Sequence, residues 1–383
     1  MAKQCAKAGS CGGCCFNGVK YSVQLAKKQE YIQSLLGKFA PVAPIYSMVD
    51  PFYYRNKIQS VFGVNSKNQV ICGIYRPGTH KLIDINGCMI ENKNADKVLK
   101  SIKQLVKKFN ISIYDEDAHT GFLRHVLIKI AVATNQIMVV FVTSSYDFRQ
   151  GRSFIKQLVD LHPEIRSVLI NKNDEDTSMV LSTQPVEILY GDGYIEDILC
   201  GLKFRISAKS FYQVNPAQAE KLFKTAMKMA RFKGNEKVID AYCGTGTIGL
   251  IAAKYGAGRV VGIELNPDAV NDAKTNAQIN GIENADFICG DASQVLKNLA
   301  ANKESADIVF LDPPRAGSDE RFLSSVIKLN PKTIIYISCN PLTLERDLRY
   351  MYKFSTYSVA GIQPVDMFPQ TAHTEVVVLM SRA

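Results

Sequence analysis

No uninterrupted apolar run in this 383-residue chain approaches the roughly 18 residues that a membrane-spanning helix needs. The opening MAKQCAKAGSCGGCC also lacks the charged-then-apolar order of a signal peptide. Both absences argue against a membrane protein and lead us to expect a soluble, cytoplasmic chain, with a monomer as the simplest state. No internal repeat or low-complexity tract appears, and the length calls for two or three domains, each able to bury its own core. Acidic residues are scarce at the front. Residues 1–110 hold 5 Asp and Glu against 17 Lys and Arg, whereas the rest of the chain holds 31 against 29. A positive field confined to one end is what a phosphate backbone attracts. Phe52, Tyr53, Tyr54, Phe62 and Tyr75 interleave there with Arg55, Lys57 and Arg76, a pattern suited to stacking on unpaired bases or, more plainly, to a strand core with charged edges.

Paired CxxC knuckles are missing too, although the chain has ten cysteines. In a reducing compartment these are not a disulfide framework. Cys5, Cys11 and Cys14 lie in a glycine-rich stretch and Cys88 follows in IDINGCMIE. Four thiolates can hold a zinc ion or a [4Fe-4S] cluster, and one close pair with an isolated fourth cysteine favours iron and sulfur. Cys15 reads as a packed bystander. The CxxxCxxC triplet of a radical enzyme is absent, which argues against that chemistry.

A helix is expected over about 23–36, with apolar residues at Leu25, Ile32, Leu35 and Leu36. From there to about residue 200, runs such as KIQSVFGV, HVLIKIAVAT and QIMVVFVTS predict a β-rich domain with helices near 92–108 and 151–161. Beyond residue 206, KVIDAY, RVVGIEL, ADFICG, DIVFLD and TIIYISC alternate with helix-length segments, and two final strands are expected near 358–362 and 375–380. This rhythm predicts a parallel, Rossmann-like α/β sheet whose ligands sit at the strand carboxyl ends. The expected division is an iron-sulfur region at 1–40 and around 72–92, a β-rich RNA-binding middle domain at 41–205, and a methyltransferase domain at 206–383.

The first strand of the last domain runs into DAYCGTGTIG, in which Gly244, Gly246 and Gly249 form GxGxxG and Glu264 follows at the distance of a ribose-binding acid. A dinucleotide would fit these residues alone. Asp240 before the glycines would repel a pyrophosphate but suit an ammonium group, and Asp291 and Asp312 end the next two strands. Carboxylates at four strand ends favour a cationic, adenosine-containing donor, S-adenosylmethionine. Cys339 ends the fifth strand in SCNP, and Glu375 opens a later one after FPQTAHT. A thiolate beside a methyl donor, followed by a carboxylate base, is the equipment for methylating carbon 5 of uracil through transient attack at carbon 6. DPPR at 312–315 has a rival meaning in enzymes that methylate exocyclic amines, but Arg315 stands where those place a stacking aromatic, and they need no cysteine.

YRNKIQSVFG, GFLRHVLIK, SAKSFYQVNPAQAEKLF, DAYCGTGTIGL, DPPRAG, YISCNPLTLERDL and FPQTAHTEVVVL together resemble the RNA uracil-5-methyltransferase family, the RlmC, RlmD and TrmA group, along essentially the whole chain. The resemblance implies Cys339 as nucleophile and Glu375 as general base. It implies Gln213, Tyr242, Glu264 and Asp312 as contacts to S-adenosylmethionine, with Asp291 added by the strand-end argument. Cys5, Cys11, Cys14 and Cys88 match the [4Fe-4S] ligands of the ribosomal-RNA members, so 23S rRNA is the expected partner and tRNA the alternative. Many relatives begin with a small RNA-binding barrel, termed TRAM, whereas this sequence starts at the cysteines, as the shorter RlmC type does.

Overall fold

The computed structural model describes residues 4–177 and 179–382. Helix α1 (Ala8–Cys11) and helix α2 (Tyr21–Leu36) come first. The chain then forms two compact units. One gathers the residues up to Gly18 with Pro51–Ile198 and Arg205–Asn215; the other gathers Val19–Asp50, Leu199–Phe204 and everything from Pro216 onward.

In the first unit, strands β1 (Lys57–Val64), β2 (Val70–Tyr75) and β3 (Leu82–Asp84) lead to helix α3 (Lys93–Lys108). Strands β4 (Leu123–Ala131) and β5 (Gln136–Thr143), helix α4 (Gly151–Leu161), and strands β6 (Ile165–Lys172) and β7 (Val186–Gly191) follow. They make one seven-stranded sheet in the order β3-β2-β1-β4-β5-β6-β7. All neighbours run antiparallel except β5 and β6, which α4 joins as a crossover. Strand β1 alternates buried and exposed positions, while β4 and β5 are buried almost throughout because they lie at the centre of the sheet. Ala95, Val98, Leu99, Ile102, Leu105 and Val106 of α3 pack against this sheet as a stripe of helical period. Tyr54 and Phe62 are core residues. The stacking surface read from the sequence therefore does not include them.

Strands β8 (Tyr194–Leu199) and β9 (Leu202–Ser207) pair as a hairpin before helix α5 (Pro216–Ala230). The second unit then alternates β10 (Lys237–Ala241), α6 (Thr247–Lys254), β11 (Arg259–Glu264), α7 (Pro267–Ile279), β12 (Ala285–Cys289) and α8 (Ala292–Ala301). It continues with β13 (Ile308–Leu311), α9 (Glu320–Leu329), β14 (Thr333–Ser338), α10 (Pro341–Phe354), β15 (Tyr357–Val365) and β16 (Glu375–Arg382). The sheet order is β12-β11-β10-β13-β14-β16-β15. Its first five strands are parallel, as the alternation predicts, but β16 runs antiparallel to both its neighbours, β14 and β15, so the sheet is mixed. The order reverses direction between β10 and β13, the switch point at which such sheets open a crevice. Asn266, Asp291, Asp319 and Asn340 cap α7, α8, α9 and α10 with their side chains. Among the described residues no helix is long and apolar enough to cross a membrane.

Candidate active site

Strand register brings the candidate nucleophile and base together. In β14 and β16, Ser338 pairs with Val376, so the next residue of the one, Cys339, stands opposite the preceding residue of the other, Glu375. On the other side of β14, Leu311 of β13 pairs with Tyr336, which sets Asp312 at the same sheet end. Glu375 is buried and Cys339 partly so. Burial pushes the Cys339 thiol from 9.0 up to about 11, helped by the charges of Glu375 and Asp312 and opposed by Arg315. Burial likewise pushes Glu375 up to about 8, with Asp312 raising it further and Arg315 drawing it down. Asp312, half-buried at the strand end, is pushed up to about 7 by desolvation. Arg315 is thus the positive charge against which the thiol and Glu375 are set, a role that DPPR did not disclose in the sequence.

The loop carrying Arg315 is clamped to α10, the helix that begins just after Cys339. Asn340 Nδ2 donates to the Arg315 carbonyl at 2.9 Å while Asn340 Oδ1 accepts from Leu342 N at 3.2 Å as the helix cap. Thr343 Oγ1 donates to the same carbonyl at 3.3 Å, and an Arg346 guanidinium nitrogen donates to the carbonyls of Ala316 and Ser318 at 3.0 and 2.9 Å. Asp347, wholly buried, accepts from Ser318 N at 2.8 Å and from the Tyr336 hydroxyl at 2.6 Å. Gly317 sits between them at φ +75, where a Cβ would meet Arg346, Asp347 and Thr343 within 2.9 Å. Only glycine fits that approach.

The glycine loop after β10 forms the neighbouring half of the site. Tyr242 takes a left-handed φ of 63, its ring 4.9 Å from that of Phe322, and burial pushes its phenol up to about 12. Gly246 stands at φ +81, where a Cβ would lie 3.0 Å from Phe287 and from Ala273. Asp240 is fully buried beneath the loop and its Oδ2 accepts from Gly249 N at 2.7 Å; burial pushes it up to about 8. It braces the loop from below. Glu264, at the end of β11, accepts from Gly244 N at 3.1 Å and from Asn266 N at 2.9 Å, so the turn fixes both its oxygens. Asp291 is exposed at the end of β12 and spends one oxygen on Gln294 N, 2.8 Å away, as the cap of α8. Gln213 lies in the first unit, where its carbonyl accepts from Asn56 Nδ2 at 3.1 Å.

The four candidate metal cysteines are also in the first unit. Cys5 N donates to Asn17 Oδ1 at 2.7 Å, and Cys11 closes α1 ahead of Gly12 at φ +69. Cys14 is raised to about 11 by burial and then by Cys11, Cys5 and Cys15, and Cys88 is raised to about 12 by burial, with Glu91 and more weakly Cys14 adding to it. Among the described residues, however, no three His, Cys, Asp or Glu side chains stand close enough to hold a metal ion. The compact ligand set expected from the sequence is therefore not formed.

A mixed seven-stranded sheet with a glycine loop, strand-end carboxylates and a cysteine facing a glutamate defines an α/β methyltransferase fold. The chain belongs to the tRNA (uracil-5-)-methyltransferase family, whose model matches residues 20–383. It is 38% identical to an uncharacterized RNA methyltransferase of Bacillus cereus across 99% of this chain and 83% of that protein, and 39% identical to one from Halalkalibacterium halodurans across 98% and 82%. It is also similar to the crystal structure of Pyrococcus abyssi tRNA (uracil-54, C5)-methyltransferase in complex with S-adenosyl-L-homocysteine. There the TM-score is 0.79 and the identity 26%, covering 94% of this chain and 83% of that one.

Proposed function

We propose that this protein methylates carbon 5 of a uridine in 23S rRNA, taking the methyl group from S-adenosylmethionine through a covalent adduct on Cys339. The observation that carries the reading is the pairing of Cys339 with Glu375 across β14 and β16, with Asp312 and Arg315 acting on both. Cys339 adds its sulfur to carbon 6, and the displaced electron pair makes carbon 5 nucleophilic. Carbon 5 takes the methyl group as the donor's S–CH3 bond breaks. Glu375 then removes the carbon 5 proton, the 5,6 double bond returns and the Cys339 thiolate leaves. Glu264 and Asp291 are assigned to the donor's ribose and adenine, with Gln213, Tyr242 and Asp312 completing its contacts.

For Cys5, Cys11, Cys14 and Cys88 we infer a [4Fe-4S] cluster, which holds its thiolates farther apart than a single ion does. The reading rests on the resemblance to the ribosomal-RNA members and on one close cysteine pair with an isolated fourth cysteine. The cluster, the resemblance to the ribosomal-RNA members and the basic front favour 23S rRNA and a cytoplasmic, monomeric enzyme. A tRNA uridine is the second reading, favoured by the similarity to the Pyrococcus abyssi enzyme. Mass mapping of 5-methyluridine in 23S rRNA and tRNA, from cells with and without the gene, decides between them. Loss of one 23S site is expected; loss of a tRNA site with every 23S site intact overturns the rRNA assignment.

A further inference from the structure

Glu375 belongs to β16, and the connection that delivers it, from Asp366 to Thr374, is held from one side by α2. Lys28, itself 3% exposed, donates to Asp366 Oδ1 at 2.5 Å, to the Phe368 carbonyl at 3.1 Å and to the His373 carbonyl at 3.0 Å, using the three hydrogens of its ammonium group. One helical turn earlier, Gln24 Nε2 donates to Gln370 Oε1 and Gln370 N donates to Gln24 Oε1, both at 3.0 Å. Gln370 needs the hold, since it stands at φ 71, a left-handed conformation costly for a residue with a side chain. Tyr21 adds its hydroxyl to Asp366 Oδ2 at 2.8 Å. Tyr21, Gln24 and Lys28 share one face of α2 and grip both ends and the strained middle of the connection.

We propose that Lys28 is a positioning residue for Glu375, fixing the connection so that the carboxylate meets the carbon 5 proton. A buried lysine spent on two carbonyls and one aspartate is a poor source of stability, because an apolar side chain would serve the core as well. Its three bonds instead define where the His373 backbone lies, two residues before the base. The inference rests on the proposed covalent reaction. It predicts damage confined to the last step, proton removal and release, while attack by Cys339 and methyl transfer continue.

The test compares wild type, Glu375→Gln, Lys28→Met and the double variant Lys28→Met/Asp366→Asn, which leaves no unpaired buried charge if Lys28→Met alone folds poorly. Each is incubated with methyl-labelled S-adenosylmethionine and unmodified rRNA transcript, quenched in detergent and scored for labelled RNA bound to protein. A general base is worth about 10²–10⁴ in rate, so a misplaced one should raise the trapped adduct roughly tenfold or more over wild type. Glu375→Gln accumulating adduct while both Lys28 variants lose turnover without any overturns the positioning role, as does wild-type release from them. No adduct from Glu375→Gln overturns the covalent reading itself.

Discussion

The charges around Cys339 make opposite and pH-dependent predictions for two substitutions. With the thiol at about 11, roughly one molecule in 10⁴ is ionised at pH 7, so its reactivity is limited by thiolate supply. Arg315 opposes the upward shift, and one opposite charge near a titrating group is commonly worth about one pKa unit. Arg315→Gln should therefore slow alkylation of Cys339 by iodoacetamide about tenfold between pH 6 and 9. Glu375 raises the thiol only when it is itself charged, which with its own value near 8 means above about pH 8. Glu375→Gln should match wild type below pH 7 and exceed it by about tenfold above pH 9, since only there is a like charge removed. Rates are read from the mass of the Cys339 peptide, which sets aside the other cysteines. Faster alkylation of Arg315→Gln, or a Glu375→Gln curve parallel to wild type at every pH, would refute this electrostatic account.

The protein without its donor should lose stability as pH rises from about 4 to 8. Asp240, Asp312 and Glu375 all have folded values raised above their ordinary ones, so their neutral forms favour folding and that contribution is lost as pH climbs through the folded values near 7 and 8. Thermal melts at pH 6 and 8 check the sign, and Asp240→Asn should flatten the difference. Asp347→Ala should cost about 3 kcal/mol in urea denaturation, because it strips a buried acceptor from Ser318, Tyr336 and Arg346 at once. Gly246→Ala should abolish donor binding in calorimetry while the protein stays folded, as a Cβ there strains the loop and presses on Phe287. Anaerobic purification should yield about four irons and four sulfides per chain, and Cys14→Ser should lose them; zinc in their place would contradict the cluster.

Much of the second unit was legible because strand and helix periods are strong signals there. The α/β alternation and the motifs at strand ends all survive in the sheet. The antiparallel turn of β16 was not legible, since Val376, Val377 and Val378 are buried on both faces and read alike in either direction. That turn is what sets Glu375 opposite Cys339. The buried face of α2 is only half apolar: Ile32 and Leu36 carry the pattern that a sequence shows, whereas Gln24 and Lys28 at the same spacing are polar and equally buried. Asp347 is hidden in the same way, although Asn340, Thr343 and Asp347 recur at helical intervals on the face of α10 that meets the DPPR loop. Polar residues within a helix's buried stripe are the signal that an apolar count discards.

Turnover by Cys339→Ala tests the central claim most directly. Purified wild type and variant, each with methyl-labelled S-adenosylmethionine and unmodified rRNA, are compared for label in 5-methyluridine after digestion. The covalent account predicts label from wild type and none above background from Cys339→Ala, with the variant's thermal melt unchanged. Appreciable 5-methyluridine from a folded Cys339→Ala protein would contradict it.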